Sequence, residues 1–62
     1  MKEFRTDVIE QLLERHESRL GPTTTQHIRR LVQRGAEELD AYALMDMCRE
    51  LQCLPTDILR VS

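Results

Sequence analysis

Two stretches of helical apolar spacing meet at Gly21-Pro22, and that dipeptide constrains the fold more than any other feature of the chain. Before it, Phe4, Val8, Leu12, Leu13, His16 and Leu20 recur at intervals of three and four, which predicts an amphipathic helix over residues 3–20. Proline disfavours helical geometry in the residue preceding it, so this helix is expected to stop at Gly21. After the break, Thr23 and Gln26 have the spacing of a capping box, in which each side chain satisfies a backbone N–H at a helix start. Ile28, Leu31 and Val32 give the second helix a narrow apolar stripe, and Gly35 suits its C-terminus.

The rest of the chain keeps to helical signals. Ala36-Glu37-Glu38 reads as an acidic turn, and Asp40 is placed to cap a third helix whose buried face is Ala43, Leu44, Met47, Cys48 and Leu51. That helix is expected to run to about Gln52. Leu54-Pro55-Thr56-Asp57 opens a short fourth helix, with Pro55 at its first position and Asp57 near its positive end. Ile58 and Leu59 then fold back onto the core, and Arg60-Val61-Ser62 ends as coil or as a short edge strand. Nothing else alternates with a period of two. The expectation is one all-α domain over residues 1–62, a compact bundle of three to four short helices with a short C-terminal edge strand. A chain of 62 residues buries only roughly 60% of its unfolded surface, so its core is marginal and self-association is a natural way to gain buried area.

Several chemistries find no support in these residues. Cys48 and Cys53 lie five apart in or near one helix, an awkward spacing for a disulfide, and no secretory signal precedes them. They read as packed thiols in a reducing cytoplasm. A structural zinc site shows two close ligand pairs, whereas His16 and His27 are distant from each other and from the cysteines. No metal or cofactor is expected. Cys48 sits on an apolar stripe beside acidic neighbours, the reverse of what a reactive thiolate needs. Carboxylate pairs such as Glu10 and Glu14 have the spacing of solvated helix faces, and there is no glycine-rich phosphate loop. An enzyme is not expected. No apolar run approaches the roughly 20 residues of a membrane span.

The net charge of −2 argues against a polybasic binder, yet its distribution is uneven. Residues 1–17 carry a local −2 and residues 37–62 a local −4, whereas residues 18–36 hold Arg19, Arg29, Arg30 and Arg34 with no acid at all, a local +4. Focused charge of this kind attracts a polyanion despite an acidic total. Within that segment, Thr23, Thr24, Thr25, Gln26 and His27 place short donors and acceptors in the first turn of the second helix. The N–H groups and dipole of the same turn favour phosphate, and Arg29, Arg30 and Arg34 add countercharge on the exposed side. Such a helix suits end-first entry into the DNA major groove, and a solvated polar face is the bland alternative.

From Ile28 onward the residues also carry a family pattern. Ile28-Arg29-Arg30-Leu31 is followed by Leu44-Met45-Asp46-Met47-Cys48-Arg49-Glu50-Leu51-Gln52-Cys53-Leu54-Pro55-Thr56-Asp57-Ile58-Leu59. Over residues 24–61 this resembles the C-terminal half of the Cro/CI-type (lambda-repressor-like) helix-turn-helix family, most specifically from Cys48 to Leu59. The resemblance implies a lambda-repressor-like C-terminal half with structural cysteines. It names Thr24, Thr25, Gln26, Arg29 and Arg30 as candidate DNA contacts, and the countercharge of the acid-free segment adds Arg34 to the candidates. The chain departs from the family in two places. Only one helical pattern precedes Gly21-Pro22 where members have two, and Arg34 stands where many members have glycine. Either the long helix breaks into two arms, or residues 3–20 double as the supporting arm, or the motif is degenerate. The function expected is a small transcriptional regulator that binds double-stranded DNA as a homodimer. The alternative is a protein-interaction module, such as an antirepressor or regulatory adaptor, that uses the same helices on a protein partner.

Overall fold

The computed structural model describes residues 1–61. A short strand, β1 (Lys2–Phe4), leads into a long helix, α1 (Thr6–Arg34). A 3-10 turn (Ala36–Glu38), α2 (Ala41–Leu51), a single-turn helix α3 (Pro55–Ile58) and a second strand, β2 (Leu59–Val61), follow. The all-α class holds, with one small two-stranded sheet added to it.

α1 is not one rod. Gly21 has φ 77° and ψ 169°, a region open essentially to glycine alone, and it divides α1 into a first arm (6–20) and a second arm (22–34). Residues 10 and 29 of an unbroken helix would stand about 28 Å apart. Here Glu10 Oε1 lies 2.5 Å from Arg29 Nη1, so the arms fold back into a V. The first arm stays a single helix up to the break, so it does not split into two shorter ones. Pro22 begins the second arm, where its missing N–H costs nothing. This start displaces the expected capping box. Thr23 already lies inside the first turn, and among the described residues neither Thr23 nor Gln26 makes a side-chain hydrogen bond. Thr25 acts at the break instead, its hydroxyl donating to the Gly21 carbonyl at 2.8 Å.

The other signals act where the sequence puts them. Gly35 (φ 91°) ends α1. Asp40 caps α2 by accepting from the Ala43 N–H at 2.7 Å. Gln52 closes α2 in the left-handed region (φ 54°), and Asp57 accepts from the Leu54 N–H at 2.9 Å at the start of α3. The C-terminal segment takes the strand option, and its partner is the N-terminus, which was expected to be helical. β1 and β2 pair antiparallel with Lys2 opposite Val61, Glu3 opposite Arg60 and Phe4 opposite Leu59. The Arg5 N–H donates to the Ile58 carbonyl at 2.8 Å, and the helix therefore begins at Thr6 rather than at residue 3. The backbone N–H of Lys2 reaches Glu37 Oε1 at 2.9 Å, which places the 3-10 turn beside β1.

The core joins all the helices. Ile9, Leu12, Leu13 and Leu20 of the first arm and Ile28 of the second pack with Met47, Cys48 and Leu51 of α2 and Ile58 of α3. Leu51 and Ile58 have no exposed surface. Arg19 fastens the end of the first arm to the end of α2, donating to the Glu50 carbonyl with its second guanidinium nitrogen 4.0 Å from the Glu50 carboxylate. A cation there also meets the negative end of the α2 dipole.

Candidate nucleic-acid interface

The second arm turns three sides to different surroundings. Ile28 is buried, and Leu31 and Val32 are half-buried, which fixes the inward side. Thr24, His27 and Leu31 border a groove of about 350 Å³ whose far wall is Asp46, Met47 and Glu50 of α2. Thr25, Gln26 and Arg29 border the cleft of about 770 Å³ inside the V, opposite Leu13, Glu14 and Glu17. The outward ridge is Thr23, Gln26, Arg30 and Gln33, spaced three, four and three residues apart, with Arg34 beside it, and all five are exposed.

The sequence-derived contacts are thereby sorted. Gln26, Arg30 and Arg34 lie on or beside the outward ridge. Among the described residues neither the Arg30 nor the Arg34 side chain makes a hydrogen bond or an ion pair, although Arg34 borders a small pocket with Glu38 and Asp40. Arg29 is exposed but held by Glu10. Thr25 is half-buried and committed to the Gly21 carbonyl, and Thr24 is half-buried against α2. The six candidates therefore do not form one reading surface. Arg19, the fourth arginine of the acid-free segment, serves the fold by holding Glu50.

Glu10 is the residue that sequence reasoning passed over. It stands 19 positions from Arg29, and spacing alone marks it as an ordinary solvated carboxylate. The signal available was Gly21 itself, since a sharp reversal there brings residues on either side of it face to face. Thr23 and Gln33 were likewise missing from the set; helical spacing puts them on one face with Gln26 and Arg30, and packing of the opposite side leaves that face exposed.

Cys48 lies in α2 and Cys53 in the turn that follows it. Cys48 is buried, Cys53 is half-buried, and both are free. Burial pushes the Cys53 thiol up to about 11, helped by the neighbouring Cys48 thiol, their mutual hydrogen bond and the Asp57 carboxylate. Burial also raises the Cys48 thiol, against a lowering hydrogen bond from Cys53. Neither is prepared as a nucleophile. No group of three or more His, Cys, Asp or Glu among the described residues is arranged to hold a metal. No helix among the described residues is long and apolar enough to cross a membrane.

No protein-family model matches the chain, and no curated protein or solved structure is significantly similar to it.

Proposed function

We propose that the chain is a small DNA-binding regulator that presents the second arm of α1 to the duplex and acts as a homodimer. The observation that carries this reading is the outward ridge. Gln26, Arg30 and Gln33 lie side by side in solvent with Arg34 next to them. No acid is present on the arm, and neither the Arg30 nor the Arg34 side chain makes an ion pair among the described residues. Amides and guanidinium groups on an exposed helix are the side chains that contact base edges and phosphates. The reading also draws on the Cro/CI-type resemblance of residues 24–61. In that reading the first arm is the supporting helix. The dimer is assigned to β2, which has β1 on one side only and presents its other edge for pairing with a second copy.

A protein-interaction module is the second reading, favoured by one observation. Tyr42 and Met45 are 83% and 65% exposed on the outer face of α2, an unusual place for large apolar side chains. Fluorescence anisotropy with a labelled duplex of random sequence at low salt tests the first reading against the second. Binding that Arg30→Glu abolishes, with helical circular dichroism unchanged, is the expected result. A folded chain that leaves the duplex free would transfer the assignment to a protein partner.

A further inference from the structure

Glu10, Glu14 and Glu17 follow one another at helical spacing on the first arm, on the side turned toward the second. Facing them are Thr25, Gln26 and Arg29, so a row of carboxylates stands opposite a row of polar and cationic groups. Only Glu10 closes the gap, at 2.5 Å from Arg29. Glu14 and Glu17 make no ion pair among the described residues. The side chains of Arg29 and Glu10 are 46% and 52% exposed, so the contact lies at the surface, where an incoming phosphate can reach the guanidinium. A carboxylate and a phosphate satisfy the same guanidinium donors with the same charge sign, so the two compete for Arg29.

We propose that Glu10 is a specificity-determining residue of the second arm. It occupies Arg29 in place of a phosphate oxygen, so that the chain offers Arg30 and Arg34 to a polyanion and withholds Arg29. This rests on the second arm being the polyanion-binding surface, and it divides the arginines of that arm into two kinds. The withheld arginine borders the cleft, whereas Arg30 lies on the ridge with Arg34 beside it, and Gln26 stands at the edge between ridge and cleft. Phosphate contact is thus drawn to the side where bases can be read, and contact from the cleft side, which carries no sequence information, is weakened.

The test is a set of substitutions in the full chain, read by salt elution from immobilised heparin and by anisotropy with a labelled duplex. The variants are Glu10→Gln, Glu14→Gln, Arg29→Ala and the Glu10→Gln/Arg29→Ala pair. Glu14→Gln makes the same change of net charge on the same stripe but frees no arginine, so it isolates the contact from the charge. Glu10→Gln is expected to tighten binding about two- to fivefold beyond Glu14→Gln, the size of effect an exposed ion pair exerts. It should also steepen the dependence of log affinity on log salt by roughly 0.9 per subunit. Arg29→Ala is expected to change little by itself and to erase the gain of Glu10→Gln. Equal gains for Glu10→Gln and Glu14→Gln, or a gain that survives Arg29→Ala, would overturn the proposal. If the native chain binds neither probe while Glu10→Gln binds both through Arg29, the role of Glu10 stands and the native DNA reading falls. If every variant is folded and none binds, both fall.

Discussion

Cys53 shows how single residues in this chain answer to their surroundings. Its thiol is raised from an ordinary value of 9.0 to about 11, chiefly because its position beside Cys48 and Asp57 is poorly solvated. A raised thiol means that the folded state holds the proton more tightly than the unfolded chain. The contribution to stability is therefore complete below about pH 9 and is lost as the pH rises toward 11. Urea melts of the native chain and Cys53→Ala should show a stability difference that shrinks across that interval. A difference that stays constant with pH would contradict the assigned cause. The same environment predicts slow alkylation of both cysteines at neutral pH in the folded protein and rapid alkylation once it is unfolded. At this scale the sequence was informative, since an apolar helical stripe marked both thiols as packed. It could not reveal that Arg29 and Thr25 are already engaged, because their partners are chosen by the fold of the V.

The element that decides the architecture is the break in α1. Gly21 has nothing within 4 Å of where a Cβ would stand, so space is not what excludes a side chain there. The obstacle is the backbone, held at φ 77° and ψ 169°. Gly21→Ala is expected to lose about 1–3 kcal/mol, the usual cost of such a conformation. In a domain of this size that corresponds to a fall in Tm of roughly 4–8 °C per kcal/mol. An unchanged melting temperature would mean that the V reopens at no cost. Break, cap and stop signals were legible because each is local: Gly21-Pro22, Gly35, Asp40 and Pro55 act within a turn of themselves. β1 was not legible. A three-residue strand exists only through its pairing with residues 59–61, and Phe4 extends the four-residue spacing of Val8 and Leu12, so the local pattern favours helix. The capping box at Thr23 failed for a related reason, since the spacing fits but the helix resumes one residue earlier, at Pro22. The candidate site was half legible: its segment and its charge could be read from the sequence, but the split between ridge, groove and cleft depends on which neighbour covers each side.

As a whole, the described residues form a 33 × 17 × 17 Å body in which β1 and β2 pair in one small sheet and the ridge of the second arm lies on the surface. A chain so short has little core to spare, and β2 keeps an unpaired edge through which a second copy adds buried area. Sedimentation equilibrium at micromolar protein should accordingly give twice the 7.3 kDa chain mass. Val61→Pro, which removes an N–H on the free edge of β2 and leaves the Arg60 N–H that faces β1, should lower it toward one chain; a native monomer at every concentration would remove the dimer. If the outward ridge of the second arm neutralises phosphate, the salt dependence of duplex binding reports it directly. A dimer that engages Arg30 and Arg34 of both subunits should show log affinity falling against log salt with a slope of about −4, and Arg30→Ala should make it shallower by about two units. A slope near zero, or one that Arg30→Ala leaves unchanged in a folded protein, would contradict the account.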